Sequence, residues 1–146
     1  MRTSCDVTDI FWQHATACRC CRRFYHLENI MERTEAKFIL YACAGCSKGG
    51  QAAYQTAIQL DTLKVAEMSC LAGIASGKSS FYKKIRNRKI VAIDGCPIEC
   101  AKTVLQNQGL KIAEHFQLKE YGIRKNETAT QRQIETVVEQ ITQKLI

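Results

Sequence analysis

Residues 90–100 read IVAIDGCPIEC. The first four are apolar and largely β-branched, the composition of a strand buried on both faces of a sheet. Gly95 and Pro97 stop that strand abruptly after Asp94, and two thiols follow, Cys96 and Cys100. Outward from this stretch the same grammar recurs. KFILYA (37–42) reads as a buried strand, and GGQAAYQTAIQL (49–60) as a helix with Ala53, Ala57 and Leu60 on one stripe. LKVAEMS (63–69) reads as a second strand, KSSFYKKIRN (78–87) as a helix and KIVAID (89–94) as the third strand. A helix from Pro97 to about Asn107 comes next, with Cys96 at its N-cap and Gly109 as its stop. KIAEHFQL (111–118) is the fourth strand. The last helix, 131–145, has Ile134, Val137, Val138, Ile141 and Leu145 at helical spacing, with Thr130 and Gln133 as a capping box. This alternation predicts an α/β fold: three layers, a mostly parallel sheet of about four strands, and helices on both faces.

A chain of 146 residues, 46% of them hydrophobic, suits one domain with a sizeable core. The orderly pattern begins near Met31, so the α/β domain is expected over 31–146. Residues 1–30 show no clear period and read as an N-terminal extension, disordered or preceding a true start at Met31. A packed helix around DIFWQHATAC is the competing expectation. No apolar run approaches the roughly 18–20 residues of a membrane-spanning helix, and the N-terminus lacks the apolar core of a signal peptide. No membrane partner is expected. Nine cysteines without an export signal point to a reducing cytoplasm. There, clustered thiols bind metal or do redox chemistry more often than they form structural disulfides. The net charge of +7 suits an acidic partner or simple solubility.

The cysteines fall into a pattern once the strands are drawn. Cys43 and Cys46 lie just past the first strand, Cys70 ends the second, and Cys96 and Cys100 follow the third. In an open parallel sheet these are all carboxyl ends, where binding crevices form. Thiols far apart in sequence therefore converge. Cys43 and Cys46 have the C-x-x-C spacing of a zinc knuckle. Cys96 and Cys100, one helical turn apart, would have Cβ atoms about 5–6 Å from each other. Helix N-termini beside them favour thiolates, and Lys48, Lys78 and Lys102 would offset part of the charge of four thiolates around Zn²⁺. Asp94 and Glu99 stand close enough to act as hydrogen-bond acceptors or bases, or simply to form the turn. Considered singly, each cysteine is as well explained as a small buried hydrophobe. Five at matching strand ends are not.

The same residues resemble the DGC-domain family of zinc-binding proteins, named for the Asp-Gly-Cys that stands here as Asp94, Gly95 and Cys96. The resemblance covers about residues 37–125. It is carried by CAGCSKGGQAA, LDTLKVAEMSCLAGI and IVAIDGCPIECAK, and more weakly by LKEYGIRK. It implies a cysteine-rich metal site at Cys43, Cys46, Cys70, Cys96 and Cys100, and no particular reaction. Where the family usually has Ser between its first two cysteines, Ala44 stands here.

Rival motifs are weaker. GIASGKSS (73–80) imitates a phosphate-binding loop, but Gly73 and Gly77 enclose three residues where G-x-x-x-x-G-K-[ST] has four. A nucleotide or small anion at Gly73–Ser79 is thus a low-weight alternative. KKIRNRK (83–89) puts five positive charges in seven residues, yet no aromatic platform accompanies it. It reads as a solvated helix end, and nucleic acid is not an expected partner. His115 reads as a surface or packed strand residue, and His14 and His26 as poor prospects for a second zinc site. Three functions compete for the thiols: zinc binding with a structural, sensing or metal-transfer role, a thiol–disulfide redox enzyme, or an iron–sulfur protein. Zinc leads, because all-sulfur four-coordinate sites are ordinary for it.

Overall fold

The computed structural model describes residues 37–43, 45 and 47–146. The readings made for residues 1–30, and for Cys46, lie outside the described residues. Four strands form one parallel sheet: β1 (Phe38–Ala42), β2 (Glu67–Met68), β3 (Lys89–Asp94) and β4 (Ile112–Gln117). Their order is β2-β1-β3-β4. Five α-helices connect and follow them: α1 (Lys48–Thr62), α2 (Leu71–Ala75), α3 (Ser79–Ile85), α4 (Cys100–Asn107) and α5 (Gln131–Leu145). A 3₁₀ turn, Leu118–Tyr121, leads away from β4.

Strand alternation sorts the side chains into two cores. Phe38, Leu40, Ala42, Val91, Ile93 and Phe116 face α1 and α5. Ile39, Tyr41, Cys43, Ile90 and Ala92 face α2, α3 and α4. β1 and β3 have every residue from Phe38 to Ala42 and from Ile90 to Asp94 buried, which is why their sequences run apolar without a break. Burying Ile39, Leu40, Val91 and Ile93 completely contributes about 1.5–3 kcal/mol each. The expected α/β architecture, with helices on both faces, is what the chain adopts.

Three element boundaries differ from expectation, each for a local reason. The second strand shrinks to Glu67–Met68, because α1 runs on to Thr62 and ends in a Schellman turn with Lys64 N–H on Asp61 O (2.9 Å) and Val65 N–H on Leu60 O (3.0 Å). The helix expected at 78–87 is α3 alone, preceded by the separate short α2. Gly73 therefore lies inside a helix, where the ring of Phe81 occupies the space a Cβ would need. The Gly73–Ser79 stretch is a helical turn, a bend at Gly77 (φ 70°) and a second helix start, not one open loop around a phosphate. The third difference, at the start of α4, belongs to the site. The capping box of α5 forms as expected: Thr130 N–H donates to Gln133 Oε1 (2.8 Å) and Gln133 N–H to Thr130 Oγ1 (3.3 Å).

Candidate functional site

From β1 the chain crosses to β2 on the α1 face, and from β2 it returns past β1 to β3 on the other face. Connections leaving β1 and β3 in opposite senses open a crevice between their carboxyl ends, the switch point where open α/β sheets bind ligands. Cys43 stands there at the end of β1. Its backbone N–H adds one more rung to the ladder, bonding Ile93 O at 3.0 Å. Alternation turns its side chain toward the α2–α4 face, 5% exposed. Cys96, 4% exposed, follows β3 on the other side of the crevice.

What holds the two sides together is glycine. The first turn of α1, begun by Ser47 as N-cap (Gly50 N–H to Oγ, 3.0 Å), lies backbone on backbone against the loop after β3. A Cβ on Gly95 would fall inside the carbonyl of Gly49 and 2.6 Å from Gly50 N; one on Gly49 would meet Gly95 O and C. Neither glycine is there for a positive φ; each is there because its neighbour occupies the space of a side chain. The same turn of α1 is tied down by Gly49 N–H on Lys125 O (3.0 Å).

Asp94 organises the rest. Completely buried, it accepts Ala101 N–H on Oδ1 (2.8 Å) and Lys102 N–H on Oδ2 (3.1 Å), so it caps α4 from the end of β3. This corrects the expectation that Cys96 is the N-cap and Pro97 the first helical residue. The residues between form a turn, Glu99 N–H to Cys96 O (3.2 Å), with Pro97 at the corner its fixed φ suits. Glu99 takes the N-cap position in a left-handed conformation, φ 52°, and Cys100 begins the helix. Cys96 and Cys100 are thus not on adjacent turns of one helix. The carboxylate of Asp94 satisfies the orphan N–H groups a serine-like cap would otherwise take.

A model of the DGC domain matches residues 39–141, from β1 into α5, with the Asp94-Gly95-Cys96 turn at its centre. The chain belongs to the DGC domain family. This DGC domain is also similar to the anaerobic and virulence modulator AnvM of Pseudomonas aeruginosa, 39% identical over 88 residues, 60% of this chain and 67% of that protein. No solved structure gives a significant match.

Within the DGC domain, Cys43 shares its surroundings with Cys100, Asp94 and Cys96. Burial first, and then the nearness of those three groups, pushes its thiol pKa above the ordinary value, against a partly offsetting N–H from Gly45. Cys70 is set apart. Exposed at the start of α2, it accepts the N–H of Gly73 on Sγ at 3.3 Å, which makes it that helix's cap. α2 and α4 pack side by side, so Cys70 and Cys100 begin neighbouring helices at one edge. Among the described residues no three His, Cys, Asp or Glu side chains are grouped so that they could hold a metal ion. Cys46, one half of the C-x-x-C pair, is outside that description. Of the expected lysines, Lys102 pairs with Glu99 (2.6 Å), drawing the Glu99 carboxyl below its usual pKa. Lys48 is the exposed first residue of α1, and Lys78 precedes α3 without a capping bond.

His115 is the functional neighbour that sequence reasoning passed over. Its Nε2 lies 3.1 Å from Asp94 Oδ2, on the same face of the sheet, with β4 in register so that His115 opposes Ala92. The one sequence signal available was its even spacing from Gln117, whose Nε2 reaches the carbonyl of Cys96 (3.5 Å). Asp94 therefore joins β3, α4 and β4 through one buried carboxylate. Beside β2, the hydroxyls of Tyr41 and Ser69 lie buried near one another without a well-formed bond, and burial raises the Tyr41 pKa.

Proposed function

We propose that the crevice between β1 and β3 is a thiolate site for a soft divalent ion, Zn²⁺, and that it works as a sensor. The observation that supports this reading is that Cys43 and Cys96, both buried, end β1 and β3 on the two sides of the switch point, with Cys100 starting α4 after the same loop. The described thiols do not form a ligand group by themselves, so Cys46 would have to complete it. Gathering several thiols and a buried carboxylate is unfavourable without a cation and favourable with one. Cys43, Cys46, Cys96 and Cys100 would hold the ion, with Cys46 joining from the β1–α1 loop. Bound there, Zn²⁺ would supply no redox chemistry of its own, only thiolates that release it when oxidised. Asp94 keeps the first turn of α4, and with it Cys100, in place. The glycine contact keeps the two sides of the crevice close. A sensing role agrees with the relative named as an anaerobic and virulence modulator. Because the ligands bind as thiolates, uptake of the ion releases protons and adds to folding stability.

The test is metal analysis and an absorption spectrum of protein purified without oxygen. About one zinc per chain and no visible colour is the expected result. Brown protein with iron and inorganic sulfide would replace zinc with a cluster. Serine at Cys43 or Cys96 should abolish retention of zinc, whereas serine at Cys5, Cys18, Cys20 or Cys21 should leave it intact.

Thiol–disulfide chemistry is the second reading, and Cys70 favours it: an exposed thiol already receives an N–H at a helix start. Metal-free protein isolated with a reversible disulfide and dithiol reductase activity would establish that reading instead.

A further inference from the structure

In a parallel sheet every strand begins at one edge, and here that edge is opposite the cysteines. The segments entering the four strands are residue 37, residues 61–67, 83–89 and 108–111. Among the described residues these segments carry eight basic residues and two acidic ones, a net charge of +6. Both acids are already engaged. Asp61 Oδ1 accepts Met68 N–H (3.1 Å), and Glu67 pairs with Arg88 (2.8 Å) and Lys84 (3.4 Å).

Helix dipoles account for part of this, since Lys83 and Lys84 lie in the last turn of α3. They do not account for the strand starts, because a sheet has little net dipole for a cation to answer. Lys37 and Lys89 are hydrogen-bonded neighbours, and both ammonium groups stand over the single ring of Phe38, at 5.7 and 6.0 Å. Two like charges are thus held close, with no ion pair to an acid for either among the described residues. Lys64 occupies the left-handed position that ends α1 (φ 58°), where α4 uses Gly109 (φ 68°). A side chain in that conformation costs about 1–2 kcal/mol relative to glycine. Structure alone calls for none of these three lysines.

We propose that this amino edge binds the phosphate backbone of a nucleic acid without regard to sequence. The strand order and register set Lys37, Lys89 and Lys111 side by side at the starts of β1, β3 and β4, and Lys64 ends α1 just before β2. At about 4.8 Å between strands, the three strand-start lysines span roughly 10 Å, the axial rise of about three nucleotide steps along one strand of a duplex, and Lys64 adds a fourth charge beside them. Arg86, exposed in the α3–β3 turn, widens the basic surface. Base readout is absent from the design: Leu63 is the one exposed large apolar side chain of these segments, and no exposed aromatic stands among them. The same lack of apolar anchors disfavours a bilayer surface, which such a face would have to enter. Read from the sequence, KKIRNRK was a solvated helix end; the topology adds Lys37, Lys64 and Lys111 to it from three other segments.

The experiment is fluorescence anisotropy of a 20-base-pair DNA duplex of arbitrary sequence with the full chain, from 50 to 200 mM KCl. Affinity should fall with salt, with a logarithmic slope of roughly −3 to −4, about 0.9 for each neutralised phosphate. A variant carrying Lys37→Ala, Lys89→Ala and Lys111→Ala should lose about 100-fold or more in affinity at 50 mM and most of the slope. Its melting temperature should stay close to the parent's, and Lys119→Ala with Lys125→Ala should bind like the parent. The proposal is overturned if the parent fails to bind at 50 mM KCl, or if the triple variant keeps its affinity and slope. It is equally overturned if binding depends on Arg19, Arg22 and Arg23 instead, or if vesicles containing phosphatidylserine bind more tightly than the duplex.

Discussion

Replacing Asp94 tests the centre of the site. Its carboxylate accepts two helix N–H groups, at 2.8 and 3.1 Å, and faces His115 Nε2 at 3.1 Å, all at a completely buried position. Hydrogen bonds to a charged group contribute about 1.5–3 kcal/mol each. Ala101, whose N–H would be orphaned, is itself fully buried, so water cannot readily take over. Asp94→Ala should therefore cost about 3–5 kcal/mol, out of a total stability on the order of 5–15. For a domain of this size that lowers the melting temperature by roughly 15–25 °C. Asp94→Asn keeps an acceptor for one helix N–H and loses the charge, and should cost about 1–2 kcal/mol. The two variants are compared by thermal melts, and the rate at which a thiol reagent modifies Cys100 is followed alongside. Loss of the cap should let the first turn of α4 open, so Cys100 should react faster well below the melting temperature. If Asp94→Ala melts within about 3 °C of the parent, or if Asn does as much damage as Ala, the capping argument is wrong.

Other consequences can be measured on the same protein. Gly95→Ala places a methyl inside the carbonyl of Gly49, where only backbone movement can relieve it. It should destabilise by about 3 kcal/mol or more and impair metal retention, whereas Gly109→Ala, with open space around its Cβ, should cost only the left-handed strain of about 1–2 kcal/mol. At Glu67, burial raises the carboxyl pKa, but Arg88 and then Lys84 outweigh it and hold the group below its usual range. A depressed carboxyl stabilises the fold above its unfolded pKa and ceases to do so as pH falls through the folded one. Glu67→Gln should thus lower stability at pH 7, with the difference from the parent vanishing on acidification; a difference that grows instead would contradict the pairing. Lys64→Gly should raise the melting temperature by a few degrees, since it relieves a left-handed side chain at the end of α1, while weakening any duplex binding at that edge.

What the chain alone determined was whatever depends on neighbours in sequence. Unbroken apolar runs such as FILYA and IVAI mark strands buried on both faces, and the 3.6-residue stripe of 131–145 marks a helix with its cap, because hydrophobic period is a local property. Cys43 and Cys96, placed just after such runs, lie at the same edge of the sheet because the strands are parallel. What only the tertiary structure decided was which distant groups compete for the same few ångströms. Nothing local says that Gly49 and Gly95 press backbone to backbone, since each glycine is equally at home in a turn. Nothing local says that Asp94 caps a helix beginning six residues later and takes a histidine from β4, so Pro97 was placed in the helix rather than in the turn before it. The gathering of Lys37, Lys64, Lys89 and Lys111 has the same origin. Each is an unremarked surface lysine until the strand order β2-β1-β3-β4 sets Lys37, Lys89 and Lys111 side by side, with Lys64 in the turn that leads to β2, because charge adds through space and not along the chain.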